Sequence, residues 1–311
     1  MLNKTQETRD YFDKNTEFWS SLFRESIYGT TTQRVRIVSK KISDLLDGEF
    51  SNKLRTECTH LDFGCGTGEL AAISASMGIQ VIAIDIAPRM VDATKSAVEQ
   101  ANAHNARVFQ GNIEALDDIE TNSIDVFSAL GLIEYLTLTE LDVFLENVTR
   151  ILRPNGRAYI GSRNRLFNIF SENDFTDLEV SIGEYDKLAA EVDSIYKWIA
   201  EDCFLDSLND AKKIEPFRDW AYPDELPQTS PVSVSQRIQY SVCDLSMRAI
   251  NNGLEIRDVN AVRFHPAKMA ILEPNIHSEL IDKINLTIDD DGDTKWAVPC
   301  SSSYLLELSK E

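Results

Sequence analysis

The chain has 311 residues, 43% of them hydrophobic, with 51 acidic against 31 basic side chains and a formal net charge of −20. That length suits about two domains, or one large domain with an elaboration, and the apolar share excludes general disorder. The negative balance speaks against a nucleic-acid backbone or an anionic membrane surface as the main partner.

The five cysteines (Cys58, Cys65, Cys203, Cys243, Cys300) stand far apart without CxxC spacing. No metal site or disulfide framework is therefore expected, and a cytoplasmic, reducing setting fits them. No apolar run reaches the roughly 18 residues of a membrane-spanning helix, and the polar start Met1–Asp13 lacks a signal-peptide core.

Residues 1–50 read as a helical arm with an aromatic cluster at Tyr11, Phe12, Phe18 and Trp19. Short apolar runs then alternate with amphipathic stretches. Cys58–Phe63 reads as a strand, Gly64–Gly68 as a tight loop and Glu69–Met77 as a helix. Gln80–Ile84 is a strand rich in β-branched residues, Met90–Ala103 a helix and Ala106–Gln110 a short strand. Ile124–Ala129 is a strand, Thr139–Leu152 a helix and Arg157–Gly161 a strand, with a turn at Pro154-Asn155-Gly156. Such alternation means βαβ units and a parallel sheet covered on both faces, an α/β fold.

The pattern breaks at Arg163. Within Asp177–Cys203, apolar residues recur in steps of three and four (Leu178, Ile182, Tyr185, Ala189, Val192, Tyr196), predicting one long helix with a single sticky face. That face makes a lid or a homodimer seam compatible with the sequence. Between Ser171 and Glu215, 13 acidic residues meet only 4 basic ones, so much of the acidity sits here. A helix at Val242–Asn251 and a strand at Leu254–Phe264 resume the sheet pattern. Asn275–Leu286 suits a further helix and Ser303–Leu308 a closing strand. The expected division is an arm (1–50), an α/β domain (51–162 with 241–311) and an insertion (163–240).

The loop Asp62-Phe63-Gly64-Cys65-Gly66-Thr67-Gly68-Glu69 carries the chemistry. Its glycines permit a sharp turn and close backbone approach to a ligand. A dinucleotide site places its third glycine one position later, for a pyrophosphate; here that position is Glu69, a poor neighbour for phosphate. Asp62 at the strand end can accept from an amine. Asp85 ends the second strand, where a carboxylate can hold two ribose hydroxyls.

The loop resembles motif I of the class I S-adenosylmethionine-dependent methyltransferases. Gln110–Leu116 is similar to that family's adenine segment, with Asn112 in place of the usual Asp. Leu152-Arg153-Pro154-Asn155-Gly156 is similar to its turn before the fifth strand. The resemblance implies a Rossmann-like, mostly parallel sheet of seven strands with S-adenosylmethionine as cofactor. It places Asp62, Gly64, Cys65, Gly66, Gly68, Asp85, Ile86, Met90, Asn112, Ile113 and Leu130 around that cofactor. The arm, through Tyr11-Phe12, Phe18-Trp19 and Ile27-Tyr28-Gly29, resembles that of small-molecule methyltransferases, including those acting on magnesium porphyrins. There the arm folds over the cofactor, which implies Tyr11 or Tyr28 at its carboxylate end. The absence of an Asn/Asp-Pro-Pro-Tyr signature after the fourth strand disfavours methylation of DNA bases or glutamine amides.

An alcohol acceptor needs a base near its proton. Among the four histidines, His60 lies inside the first strand, and His104 and His277 lie in polar surroundings. His265, at the end of the sixth-strand pattern, is the candidate base or substrate ligand. Glu134 is a second candidate base, with Tyr135 beside it facing the acceptor region. Arg163, Asn164, Arg165 and Asn168, just past the fifth strand, offer donors for a hydroxylated or anionic small molecule. The stretches Arg163–Thr176 and Val262–Pro266 are similar to bacterial methyltransferases of the surface-saccharide and tailoring type. The expected activity is methyl transfer to a hydroxyl, less readily an amine, of a small molecule. A nicotinamide-dependent oxidoreductase, disfavoured by Glu69, and a non-catalytic cofactor-binding scaffold are the alternatives.

Overall fold

A computed structural model describes residues 4–25, 29–172, 174–210, 212–213, 234, 237–265 and 294–310. Tyr28 and the helix expected at Asn275–Leu286 lie outside them. Three arm helices, α1 (Lys4–Lys14), α2 (Thr16–Glu25) and α3 (Thr30–Asp47), precede the sheet. The chain then runs through β1 (Thr59–Phe63), α4 (Glu69–Ser76), β2 (Gln80–Asp85), α5 (Pro88–Gln100), β3 (Ala106–Gln110), β4 (Ile124–Leu130), α6 (Leu138–Ile151) and β5 (Leu152–Arg163). The insertion follows, and α11 (Val242–Asn251), β6 (Glu255–Phe264) and β7 (Ser301–Ser309) complete the sheet.

The strand order is β3-β2-β1-β4-β5-β7-β6. β7 pairs antiparallel with both β5 and β6, and the remaining pairings are parallel. Strands covered on both faces need side chains that are apolar both ways, and Val81, Ile82, Ala83 and Ile84 of β2 are all buried. One face packs on α3 and α4, burying Val38, Ile42 and Ala71; the other packs on α6, burying Phe144, Leu145 and Val148. The connections leave in opposite directions from β1 and β4, which are neighbours. The crevice at their carboxyl ends is where an open α/β sheet binds its ligand.

Two sequence expectations change. β5 begins at Leu152, directly after α6, and the expected turn is a left-handed kink at Asn155 (φ 63°) within it. The single long helix is two, α8 (Asp174–Ser181) and α9 (Tyr185–Ala200), because Gly183 takes φ 74° between them. The α9 face that packs is Leu188, Glu191, Val192, Ile195 and Trp198, whereas Tyr196 is exposed. That face is turned into the protein's own core, alongside Phe204 and Leu208 of α10 (Phe204–Leu208), so it is not a seam for a second copy.

Polar contacts weld the insertion to the sheet. Arg165 is fully buried and donates both Nε and Nη2 to the Glu179 carboxylate, at 2.9 and 2.7 Å. Asn168, on the short helix α7 (Asn168–Ser171), donates to Glu179 Oε1 at 2.9 Å and Gln239 Oε1 at 2.7 Å. Glu191 accepts from the Cys243 amide at 3.1 Å, in the first turn of α11. Arg165→Met strands the Glu179 carboxylate in this interior, at an expected cost of about 3–5 kcal/mol in urea unfolding. The double substitution with Glu179→Leu should recover most of that; equal loss in single and double variants would mean that the pair is not what the fold feels.

Candidate active site

A cavity of about 790 Å³ opens at the carboxyl ends of β1, β2, β4 and β5 and is covered by the arm. Its first wall is the glycine loop. Gly64 and Gly66 take φ 75° and 55°. A Cβ on Gly64 would stand 2.6 Å from Leu132 Cδ1, whereas nothing lies within 4 Å of the Cβ position on Gly66, which faces the open cavity. Asp85 ties this loop to the second strand. Its Oδ2 accepts from the Gly66 amide at 2.9 Å, and its Oδ1 from the Ala87 amide at 2.9 Å. Burial raises the Asp85 carboxyl to about 6, against those two hydrogen bonds.

Asp62 ends a buried polar chain. Ser128 donates to Asp62 Oδ1 at 2.6 Å and lies 2.8 Å from His60 Nε2, while His60 Nδ1 lies 3.0 Å from Ser74. Ser128 spends its one proton on Asp62, so it accepts from His60 Nε2–H, and Nδ1 in turn accepts from Ser74. Burial drives His60 down to about 3, which keeps the ring neutral, and raises Asp62 to about 7.

The opposite wall is basic. Glu134 is buried, and its Oε2 accepts from both Arg163 Nε and Arg237 Nε at 3.0 Å. Arg34 of α3 reaches through the arm into a slot left by two glycines. A Cβ on Gly131 would lie 2.2 Å from Arg34 Nη1, and one on Gly161 3.3 Å from Arg34 Nε. The guanidinium donates Nε and Nη2 to Ser303 Oγ, the former at 3.1 Å. Burial pushes its pKa down, and Glu134 opposes that. Phe12, Phe18 and Trp19 roof the cavity, and the Phe12 ring meets Tyr135 edge-on at 5.2 Å.

Residues 61–156 match the family described as a methyltransferase domain. A ubiquinone biosynthesis O-methyltransferase of Xanthomonas oryzae pv. oryzae (strain PXO99A) is 30% identical over 106 residues, covering 34% of this chain and 43% of that protein. The enzyme so named from Rickettsia conorii is 33% identical over 105 residues, 34% of this chain and 35% of that protein. Residues 61–156 are thus a methyltransferase domain of the class I S-adenosylmethionine-dependent kind. The chain thus spans less than half the length of these curated relatives. Over the whole fold, the chain is similar to magnesium protoporphyrin IX methyltransferase from Synechocystis PCC 6803 with bound S-adenosylhomocysteine (TM-score 0.52, 12% identity, 99% of this chain and 100% of that one). It is equally similar to the 4+2 cyclase SpnF (TM-score 0.54, 16% identity, 98% and 96%).

The cofactor of this methyltransferase domain is S-adenosylmethionine, and the cavity's chemistry fits it. Asp62, Glu69, Asp85 and Glu114 line the half under β1–β3, a carboxylate set suited to a ligand bearing an ammonium, a sulfonium and a ribose diol. Of the expected residues, Asp62, Gly64, Cys65, Gly66, Asp85, Ile86, Met90, Asn112, Ile113 and Leu130 line the cavity. Asn112 Oδ1 also accepts from the Glu114 amide at 3.2 Å, capping a short turn.

Several expectations are corrected. Gly68 is not on the wall; it backs onto α5, where a Cβ would meet Thr94 Cα at 2.6 Å. Tyr11 does not itself line the cavity, but its ring packs against Phe12 and it stands beside Trp19 and Arg237, which do. Of the donors after β5, only Arg163 lines the cavity. Asn164 is buried and donates to the Val298 and Ser301 carbonyls, while Arg165 and Asn168 hold Glu179. His265 packs on Phe167 with ring centroids 4.6 Å apart and does not line the cavity. Glu134 and Tyr135 do line it, but Glu134 is tied to two guanidiniums, which suits an anchor and not a proton acceptor.

Arg34, Arg237 and Arg263 were missed. A lone Arg within an amphipathic helix carries no sequence signature, although a glycine just past β4 and another near the end of β5 leave room for something large between them. Gly131→Ala should cost about 1–3 kcal/mol by overpacking against Arg34, added to the strain of a side chain at φ 83°. In a double-mutant cycle with Arg34→Ala, unfolding in urea should show strong sub-additivity; additive penalties would mean that the slot and the guanidinium are independent.

Proposed function

We propose that this protein transfers the methyl group of S-adenosylmethionine to a hydroxyl oxygen of a small molecule bound under the aromatic roof. The observation that carries the reading is Asp85, fixed by two backbone amides at the rim of a cavity that a matched methyltransferase segment lines. In this reading Asp85 receives the ribose hydroxyls, Asp62 the ammonium group, and the Gly64–Gly66 backbone the methionine chain. Ile86, Met90 and Ile113 enclose the adenine ring, with Asn112 at its edge. The cofactor supplies a carbon already activated by its sulfonium. The protein's part is alignment and exclusion of water. Phe12, Phe18 and Trp19 close the roof. Tyr135 and Arg163, beyond the end of β4, orient the acceptor so that its oxygen faces the transferred carbon.

The named relatives are O-methyltransferases of ubiquinone biosynthesis, which supports an oxygen acceptor and a biosynthetic role. All five cysteines are free thiols, which supports a cytoplasmic setting. Among the described residues no helix is long and apolar enough to cross a membrane.

The test is calorimetric titration with S-adenosylhomocysteine, then transfer of labelled methyl to a panel of hydroxylated small molecules. Binding of NADH with no binding of S-adenosylhomocysteine would sink the reading; binding without transfer to any acceptor would favour a scaffold. Asp85→Ala should weaken cofactor binding by about 1–3 kcal/mol through lost charged hydrogen bonds, and unchanged affinity would remove Asp85 from the site.

The pH dependence has a definite sign. Burial raises Asp85 to about 6 and Asp62 to about 7, so both take up protons as pH falls through that range. The cofactor's donors favour the carboxylates. Affinity should therefore rise between pH 5 and pH 8, with protons released on binding. Titrations in buffers of different ionisation enthalpy read that release; flat affinity with no proton release would exclude both carboxylates as ligands.

A further inference from the structure

The cavity's charge is divided along the sheet. Four of its lining carboxylates lie under β1–β3, and its four lining guanidiniums lie at the other end. Arg34 comes from the arm, Arg163 from the end of β5, Arg237 from the insertion and Arg263 from the end of β6. Two lining carboxylates, Glu134 and Glu140, share that half. Glu140 is committed to the first turn of α6, where it accepts from Thr137 N and Oγ1 at 2.7 and 2.8 Å. One Oε2 of Glu134 already serves two guanidiniums.

This end is built at some cost. Arg34 needs the two-glycine slot. Arg263 sits at φ 56°, in the left-handed region that a long side chain seldom adopts, with its amide donating to Gln33 Oε1 at 2.7 Å. Four guanidiniums lining one end of a cavity, Arg34 and Arg237 of them buried, repel one another and favour an anion placed among them. A sulfonium cofactor adds positive charge and carries only one carboxylate, itself matched by the cofactor's own ammonium.

Resting on the cofactor reading above, we propose that this basic half is an oxyanion site, which holds a carboxylate or phosphate group of the acceptor beside the transferred methyl. Guanidiniums from four separate elements then act as a specificity device. An acceptor without the anionic group forgoes these contacts, and one with it gains charge-assisted, partly bidentate hydrogen bonds.

The test titrates inorganic phosphate and, separately, acetate into the full chain saturated with S-adenosylhomocysteine, at constant ionic strength. Saturable binding is expected for at least one, and the tighter identifies the kind of anion. Arg163→Gln and Arg263→Gln should each weaken it by about five-fold or more while leaving S-adenosylhomocysteine affinity within about two-fold, which also checks their folding. No saturable binding of either anion overturns the proposal. So does anion binding seen without S-adenosylhomocysteine and abolished by it, because the guanidiniums then serve the cofactor's own carboxylate. If S-adenosylhomocysteine fails to bind while phosphate still does, the methyl-transfer reading falls and the anion site stands.

Discussion

The geometry of the cavity depends on one carboxylate. Asp85 leaves the end of β2 and accepts from the Gly66 amide on one side and the Ala87 amide on the other. The first contact holds the glycine loop open toward the cavity. The second fixes the residue before α5 and so sets where that helix starts. Its first turn is then completed from the arm, since the Arg89 amide donates to Asp13 Oδ1 at 2.9 Å. Loop, helix and roof are thus placed in sequence from a single strand end. A carboxylate stripped of water accepts this burial because backbone donors answer it.

The far half is organised by a different economy. Arg165, Asn168 and Glu191 spend their polarity inside the protein, fastening α8, α9 and α11 to the sheet. Because these contacts fix the insertion's root, Ile238 can donate its amide to the Glu134 carbonyl at 2.7 Å, and neighbouring Arg237 meets the Glu134 side chain. The acidic insertion therefore contributes a cation to the cavity while its surplus carboxylates lie elsewhere, several of them buried against partners.

What was legible in the sequence follows from the range of the forces involved. Strands β1–β4, the glycine loop and Asp85 are local signals: alternation, β-branched runs and glycines that need positive φ. They come through with small shifts at their ends. The split of the long insertion helix at Gly183 was missed because the apolar steps run across it unbroken, and only packing decides that Leu188 and Ile195 face inward instead of Ala189 and Tyr196. Asn164, Arg165 and Asn168 looked like site donors because they follow a strand that ends at the site. Nothing local distinguishes a guanidinium that turns to a buried Glu179 from one, Arg163, that turns to the cavity. Arg34 and Arg237 lie about a hundred residues or more from the groups they meet, so their role is a property of the tertiary fold alone.

A cyclase and a methyltransferase both share this fold at low identity, so the sheet by itself does not specify the chemistry. What it does specify is a crevice whose two halves come from opposite winding directions. In this chain the half wound toward β3 is lined by the carboxylates Asp62, Glu69, Asp85 and Glu114, and the half wound toward β6 by guanidiniums brought in from the arm, the insertion and the strand ends. By charge, the first half suits a cationic ligand and the second an anionic one. What the shared fold does not supply is the set of side chains lining the second half, above all Arg34, whose slot exists because Gly131, just past β4, and Gly161 of β5 leave room for it.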